Sequence, residues 1–299
     1  MIHRVLIAVT VGLCGCSSLP LAPWSGTRPT PPAASPGNPA PPARLALLQP
    51  EDNPLKLVAA AADNGGTTRV TRLDVVLTAL RVRVPRSQRA RAEMLWNHLR
   101  EDALDNATTL RLRHNGLRVG VGDEQWWEAV RAALDAIPGV NSTPIAPLRV
   151  PAEYPLALEL DTGPHEQTLF FLADDGVLTG ETWPQSRNVL RLSYALDLQR
   201  PDRIRLSVVP EVRQRLEGLR WVRNEAGVTQ VPNYSGRAFG AAGFAADLEP
   251  GRFLLLAPGE QSGVSGLVGN SFLVSEEDGQ SYDSYVFLRA DVNHVAQRY

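Results

Sequence analysis

The stretch NVLRLSYALDLQRPDRIRLSVVPEV, residues 188 to 212, decides how the chain folds. Its apolar positions recur every second residue, the period of a strand with one face turned to a core. The break at Arg200-Pro201-Asp202 divides it into two long strands. The same period continues on both sides. TLFFLADDGVLTGETW, from Thr168 to Trp183, reads as a hairpin with Asp175-Gly176 in its turn. Phe253 to Ala257 makes a further strand after a Pro250-Gly251 turn, and SFLVSEEDGQSYDSYVFLRADV closes the chain's β region as a hairpin around Asp278-Gly279.

Upstream of residue 146 the texture changes. RLDVVLTALRVRVP, residues 72 to 85, alternates Leu80, Val82 and Val84 with Arg81 and Arg83 and predicts a strand. Ser87 can cap a helix running to about Leu104, with Ala90, Met94, Leu95 and Leu99 at helical spacing. LRLRHNGLRVGVG predicts a second strand through Leu110, Leu112, Leu117, Val119 and Val121. Asp123 can cap a second helix that turns Trp126, Trp127, Val130, Leu134 and Ile137 to one broad face before Pro138-Gly139 stops it. The proline-rich IPGVNSTPIAPLRVPAEYP, Ile137 to Pro155, marks a domain boundary. The expected class is α+β: a small β-α-β-α domain over residues 46–145, then a mostly antiparallel β domain over 146–299.

The first residues give an address. Arg4 precedes an apolar run at residues 5 to 13, too short for a permanent span of roughly 20 residues. The run ends in Leu13-Cys14-Gly15-Cys16, which resembles the bacterial lipoprotein signal. That resemblance implies cleavage after residue 15, acylation of Cys16 by diacylglycerol and palmitate-like chains, and a membrane anchor worth ~0.8 kcal/mol per buried CH₂. Cys14 fits worse, because it would place Leu13 where a small residue belongs. Ser17, which is not Asp, favours the outer membrane by analogy, with the protein facing the periplasm. Residues 16–45 read as a disordered, proline-rich linker that can reach on the order of 80 Å at ~3.1 Å per residue.

Composition narrows the chemistry. The net charge of −2 argues against general nucleic-acid affinity. The only two cysteines are Cys14 and Cys16, so the mature chain keeps one, already alkylated; disulfides, thiolate catalysis and cysteine-bound metals are excluded together. Gly116, Gly120 and Gly122 sit ahead of a helix, but Gln125 occupies the third position of a dinucleotide fingerprint, and Gly122-Asp123-Glu124 replaces the lysine of a phosphate loop with carboxylates. Ser262, Ser265 and Ser271 miss the nucleophile-elbow spacing. His165-Glu166 begins like a zinc-protease helix, but Leu169 stands where the second histidine belongs; His98, His114 and His294 show no ligand spacing. Asp174-Asp175 and Glu276-Glu277-Asp278 lack calcium-loop spacing and suit hairpin turns. Arg81, Arg83, Arg86, Arg89 and Arg91 form a basic run that reads as a solvated face paired with Glu93, Glu101 and Asp102, and otherwise as a seat for an anionic partner. Trp96, Trp126 and Trp127 read as core. No catalytic, cofactor or metal residue is assigned.

The second half also resembles the β module of bacterial secretins, the multimeric outer-membrane gates. The residues that carry the likeness are VLRLSYALDL, VVPEV, FAADLEPGRFLLLAPG, and GLVGNSFLVSEEDGQSYDSYVFLRADV, with LVGNSF at Leu267–Phe272 and YVFLRADV at Tyr285–Val292 nearest. The likeness covers about Asn188 to Val295 and lacks both the proline-containing signature before LVGNSF and a pair of long glycine-punctuated hairpins. What it implies is a scaffold or interaction module and not a gate. The sequence thus points to a non-enzymatic, lipid-anchored envelope protein that holds or assembles a protein partner, with an envelope hydrolase or small-ligand-binding lipoprotein as the alternative.

Overall fold

Alternating apolar residues need a second layer to cover them, and the chain supplies it from both of its halves. The computed structural model describes residues 61–62, 68–149, 155–160, 163–173, 175–197, 199–224 and 227–298; the signal segment, Cys16, the linker and Asp174 lie outside them. In chain order the strands are β1 (Ala61–Ala62), β2 (Thr68–Pro85), β3 (Leu117–Gly122), β4 (Asn141–Arg149), β5 (Leu156–Glu159), β6 (His165–Leu172), β7 (Leu178–Asp197), β8 (Arg200–Asn224), β9 (Gly227–Ala238), β10 (Phe244–Leu248), β11 (Phe253–Pro258), β12 (Val274–Glu277) and β13 (Gln280–Arg298). The helices are α1 (Arg89–Ala92), α2 (Asn106–His114), α3 (Trp127–Asp135) and α4 (Val268–Leu273).

The first sheet runs β1-β2-β13-β11-β3, with β4 also on β2 and β12 on β13; the second runs β10-β8-β7-β5, with β6 also on β7 and β9 on β8. Every pairing between named strands is antiparallel. Leu254, Leu256, Val286 and Leu288 of the first sheet share one buried cluster with Leu190, Leu192, Leu206 and Val208 of the second. The opposite face of the first sheet, through Val82, Leu255, Tyr285 and Phe287, buries Leu95, Trp96, Val130 and Leu134 from the helical segments. Each such side chain contributes about 1.5–3 kcal/mol when fully removed from water. The class is α+β, as expected.

The layout departs from expectation in five places. The first sheet joins β2 and β3 to β11 and β13, so it crosses the boundary drawn at 145/146, and Asn53–Tyr299 is one compact unit. The proline-rich segment contributes β4, an edge strand on β2, where Pro144 and Pro147 can sit without a ladder hydrogen bond on the outer side. Leu110 and Leu112 belong to α2 and not to a strand: Asp105 caps that helix by accepting from Thr108 N at 2.9 Å, and Arg111, Arg113 and His114 complement its last turn. The helix expected from Ser87 to Leu104 is broken into α1 and 3-10 turns, because Arg100 leaves it to exchange backbone hydrogen bonds with Val121 at 2.9 and 3.0 Å. Finally, Trp126 is 43% exposed and stacks on His98 with ring centroids 5.1 Å apart, while Val130, Leu134 and Ile137 are buried as predicted.

The turns follow the sequence closely. Asp278 and Gly279 have φ of 50° and 75°, the paired positive values that a two-residue hairpin turn requires. Gly176 and Gly251 likewise stand at φ 77° and 78° in the turns expected there.

Candidate interaction surface

Beyond one level the second sheet stops being continuous. β7 and β8 pair from Asp197↔Arg200 to Ser186↔Gln214. Past that point β7 pairs with β6, and β8 pairs with β9, as two separate hairpins. Two backbone features accompany the split. Gln185 holds φ 47°, a left-handed conformation costly for a residue with a Cβ. Gly218, at φ 83°, sits in a bulge where the register shifts between Arg215 and Leu219. Since β7 and β8 are antiparallel, both hairpin turns lie at the same end of the sheet.

That end is apolar at its surface. Among the described residues, eight of the twelve exposed large hydrophobic side chains lie on these hairpins and their bulge: Phe170, Val177, Leu178, Leu216, Leu219, Trp221, Val228 and Tyr234. Trp221 is 67% exposed and Leu219 54%. Register places them with respect to charge. Arg215 opposes Tyr234, and the bulge adds an even number of residues to β8, so Leu219 and Trp221 share a face with Tyr234 and Val228. Arg213 and, across on β7, Arg187 occupy that same face, since the two residues are direct partners. That face therefore carries Arg187, Glu211 and Arg213 at the base, and Tyr234, Leu219, Trp221 and Val228 beyond them.

A cleft of about 540 Å³ opens at the base, lined among others by Glu159, Gln185, Arg187, Arg213, Arg215 and Tyr234. Arg187 Nη1 donates to Glu159 Oε2 at 2.9 Å, and Arg213 Nε to Glu211 Oε1 at 2.6 Å. Each guanidinium thus keeps further N–H donors. A second, smaller pocket of about 240 Å³ lies at the margin of α3 on the first sheet, where Trp127, Phe253 and Phe287 meet; Trp127 is edge-on to Phe253 and Phe287 at 5.1 and 5.7 Å between centroids.

Buried polar groups hold the sheets in register with α4. Asn115 is fully buried: its Nδ2 donates to Arg111 O at 3.0 Å and Leu172 O at 3.2 Å, and its Oδ1 accepts from Leu172 N at 2.8 Å. Asn188, also buried, exchanges hydrogen bonds with Gln167 and donates to Ser271 O at 2.8 Å. Asp283 is 1% exposed, with Arg86 at 3.2 Å and Arg89 at 3.9 Å. Burial pushes its carboxyl above the ordinary range, against the pull of Arg89 and Arg86.

The residues singled out from sequence fall elsewhere. Gly122 is required by the Phe253 ring, which a Cβ would meet at 2.2 Å, and Gly120 lies under Trp96; both are packing positions. Asp123 makes no capping hydrogen bond and instead pairs with Arg252 at 2.9 Å. The basic run is spent on partners mostly distant in sequence: Arg83 on Glu277, Arg86 on Asp283, Arg89 on Asp283 and Glu93, and Arg81 on Ser284 and Leu160 O. Glu93 and Glu101 are held chiefly by Arg118, which also lies 3.8 Å over the Trp96 ring; its hydrogen bond lowers the Glu101 pKa. His98, His114 and His165 stand apart, and no group of three metal-ligating side chains occurs among the described residues. Asp175 accepts from Val177 N at 3.0 Å, as a turn residue does. The β6/β7 hairpin is legible in sequence at Asp175-Gly176, whereas the run of β8 past Val212 into a second hairpin with β9 is not; the signal there is Leu216, Leu219 and Trp221 around Gly218, an exposed pattern indistinguishable from a core strand. No family model, curated protein or solved structure matches the chain.

Proposed function

We propose that the protein is a lipid-anchored component of the bacterial cell envelope with a structural or assembly role and no catalytic activity of its own. The address rests on Leu13-Cys14-Gly15-Cys16 and the proline-rich linker after it. The role rests on one observation: the exposed apolar side chains gather on the hairpin end of the second sheet, and grouped exposure of that kind marks a contact surface. The protein would be held at the outer membrane through acylated Cys16, facing the periplasm, and would engage a second envelope component through this end.

Two measurements test the reading. Mass spectrometry of the mature N-terminus is expected to find acylated Cys16; an unmodified start at another residue removes the anchor. Photo-crosslinkers placed at Leu219 and Val177 are expected to give adducts in cells, while one at Met94, 61% exposed on the helical side, gives none. Equal labelling from all three positions would sink the contact surface. A second reading, a small-ligand-binding lipoprotein, is favoured by the aromatic pocket at Trp127, whose volume exceeds the ~150 Å³ of apolar space that admits benzene.

A further inference from the structure

We propose that the aromatic pocket at the margin of α3 binds a small uncharged ring compound that carries a hydrogen-bond acceptor. The inference rests on the second reading given above, a small-ligand-binding lipoprotein, and names its ligand class. Register shows how the pocket arises. On the helical face of the first sheet Phe253, Arg289 and Thr78 stand side by side on β11, β13 and β2, and Leu255, Phe287 and Leu80 form the next row. Helix α3 covers that next row, where Leu255 and Phe287 are buried with Val130 and Leu134. Trp127, the first residue of α3, packs edge-on to Phe253 and Phe287. Beside that ring a step of about 240 Å³ remains over Leu80, Thr78, Arg289 and Asp291. Its walls stand on strands and a helix, and the Phe253 ring is set by Gly122, where a Cβ would meet it at 2.2 Å. Phe253 and Phe287 are each 2% exposed, so the contact area comes from the half-buried Leu80, Thr78 and Trp127. A preformed apolar hollow with a few convergent polar groups is the usual form of a small-molecule site.

The charges at the pocket select the ligand class. The two charged lining residues answer each other: Arg289 Nε donates to Asp291 Oδ1 at 3.1 Å. Glu124 Oε1 also stands 3.6 Å from Arg289 Nη2. One guanidinium thus faces two carboxylates. A carboxylate ligand would add a third and be repelled. An ammonium would compete with Arg289 for the same two acids. An uncharged oxygen disturbs neither pair, because a guanidinium has five N–H donors and Asp291 takes one of them. Thr78 supplies a hydroxyl on the same face. In size the step exceeds the ~150 Å³ of apolar space that holds benzene, so one substituted ring fits.

The test uses the chain from residue 16 onward, nitrogen-15 labelled and carrying Cys16→Ser, so that no lipid or detergent offers the probes a second apolar phase. Three probes of similar shape are titrated: benzamide, benzoate and benzylamine. The indole N–H signal of Trp127 is identified by its loss in Trp127→Phe. Benzamide at up to ~10 mM should move that signal and leave the signal of Trp221, on the second sheet, in place. Benzoate should bind about tenfold more weakly. Thr78→Phe, which puts a ring into the step, should abolish the shift. Arg289→Met, at a side chain 40% exposed, should weaken benzamide about fivefold, the worth of one hydrogen bond; it keeps the test standing should Thr78→Phe fail to fold. Benzoate or benzylamine binding as tightly as benzamide would overturn the ligand class while the pocket reading stands. No movement of the Trp127 signal with any of the three, or equal movement of Trp221, would overturn both.

Discussion

Replacing Asn115 by alanine tests whether the end of α2 is held to β6 by polar groups as well as by apolar burial. The side chain is fully buried and makes three hydrogen bonds, one to the end of α2 and two to Leu172 of β6. Each is worth about 1 kcal/mol net, and leaving the Leu172 N–H without a partner adds about 1–3 kcal/mol. The expected loss is about 4–6 kcal/mol. With a urea slope of about 3 kcal/mol/M, the midpoint followed by tryptophan fluorescence should fall by about 1.3–2 M at unchanged slope. Asn115→Asp keeps the acceptor for Leu172 N but sets a carboxylate against the Arg111 and Leu172 carbonyls. It should therefore be at least as destabilised at neutral pH and recover partly in acid, where its protonated oxygen can donate. A midpoint for the alanine variant within about 0.2 M of the parent would refute the reasoning, because the loss expected from three broken hydrogen bonds would then be absent.

Gly269→Ala should destabilise by about 2 kcal/mol or more in the same assay, since its Cβ would stand 2.0 Å from Gly116 O, and backbone cannot retreat as a side-chain end does. Asp283→Asn should alter the pH dependence. The raised carboxyl pKa means that the folded chain holds this proton more readily than the unfolded one, so ionisation subtracts stability; the cost is absent below the ordinary value of 3.8 and complete above the raised one. The variant should gain on the parent as pH rises from acid to neutral, and urea midpoints at the two ends that keep a constant difference would contradict this. Cys16→Ser should move the protein from the membrane to the soluble fraction of the envelope, read by fractionation; retention in the membrane would point to another attachment.

The parts of the fold that were legible in sequence are the local ones. Asp278-Gly279 and Asp175-Gly176 declare their turns because few residues tolerate positive φ, and the alternation in β7 and β8 declares their buried face. Segment α2 was missed because Leu110 and Leu112 alternate with arginines in the manner of a strand, while only Leu112 is buried; the Asp105 cap was the better signal. Sheet partners were not legible, since nothing in RLDVVLTALRVRVP names YVFLRADV as its neighbour. The basic run shows the same limit: its arginines were matched to nearby acids, whereas Asp283 and Glu277 reach it only through the pairing of β2 with β13. The candidate surface was hidden for a related reason, because exposure of Trp221 depends on β8 parting from β7 at Ser186.

The pairing of β2 with β13 also sets the order of events when the chain is made. Arg81 and Ser284 touch across 203 positions of sequence, and the ladder between their strands extends from Tyr282↔Pro85 to Arg298↔Arg69. Contacts so distant form late and slowly. The first sheet has no centre until β13 has emerged, so on a ribosome delivering this chain from its N-terminus that sheet stays open almost to the end, while β5 to β10 can pair before it. Tight folding waits for arrival, and a chain cut short before β13 would leave β2 and β11 with exposed edges to aggregate.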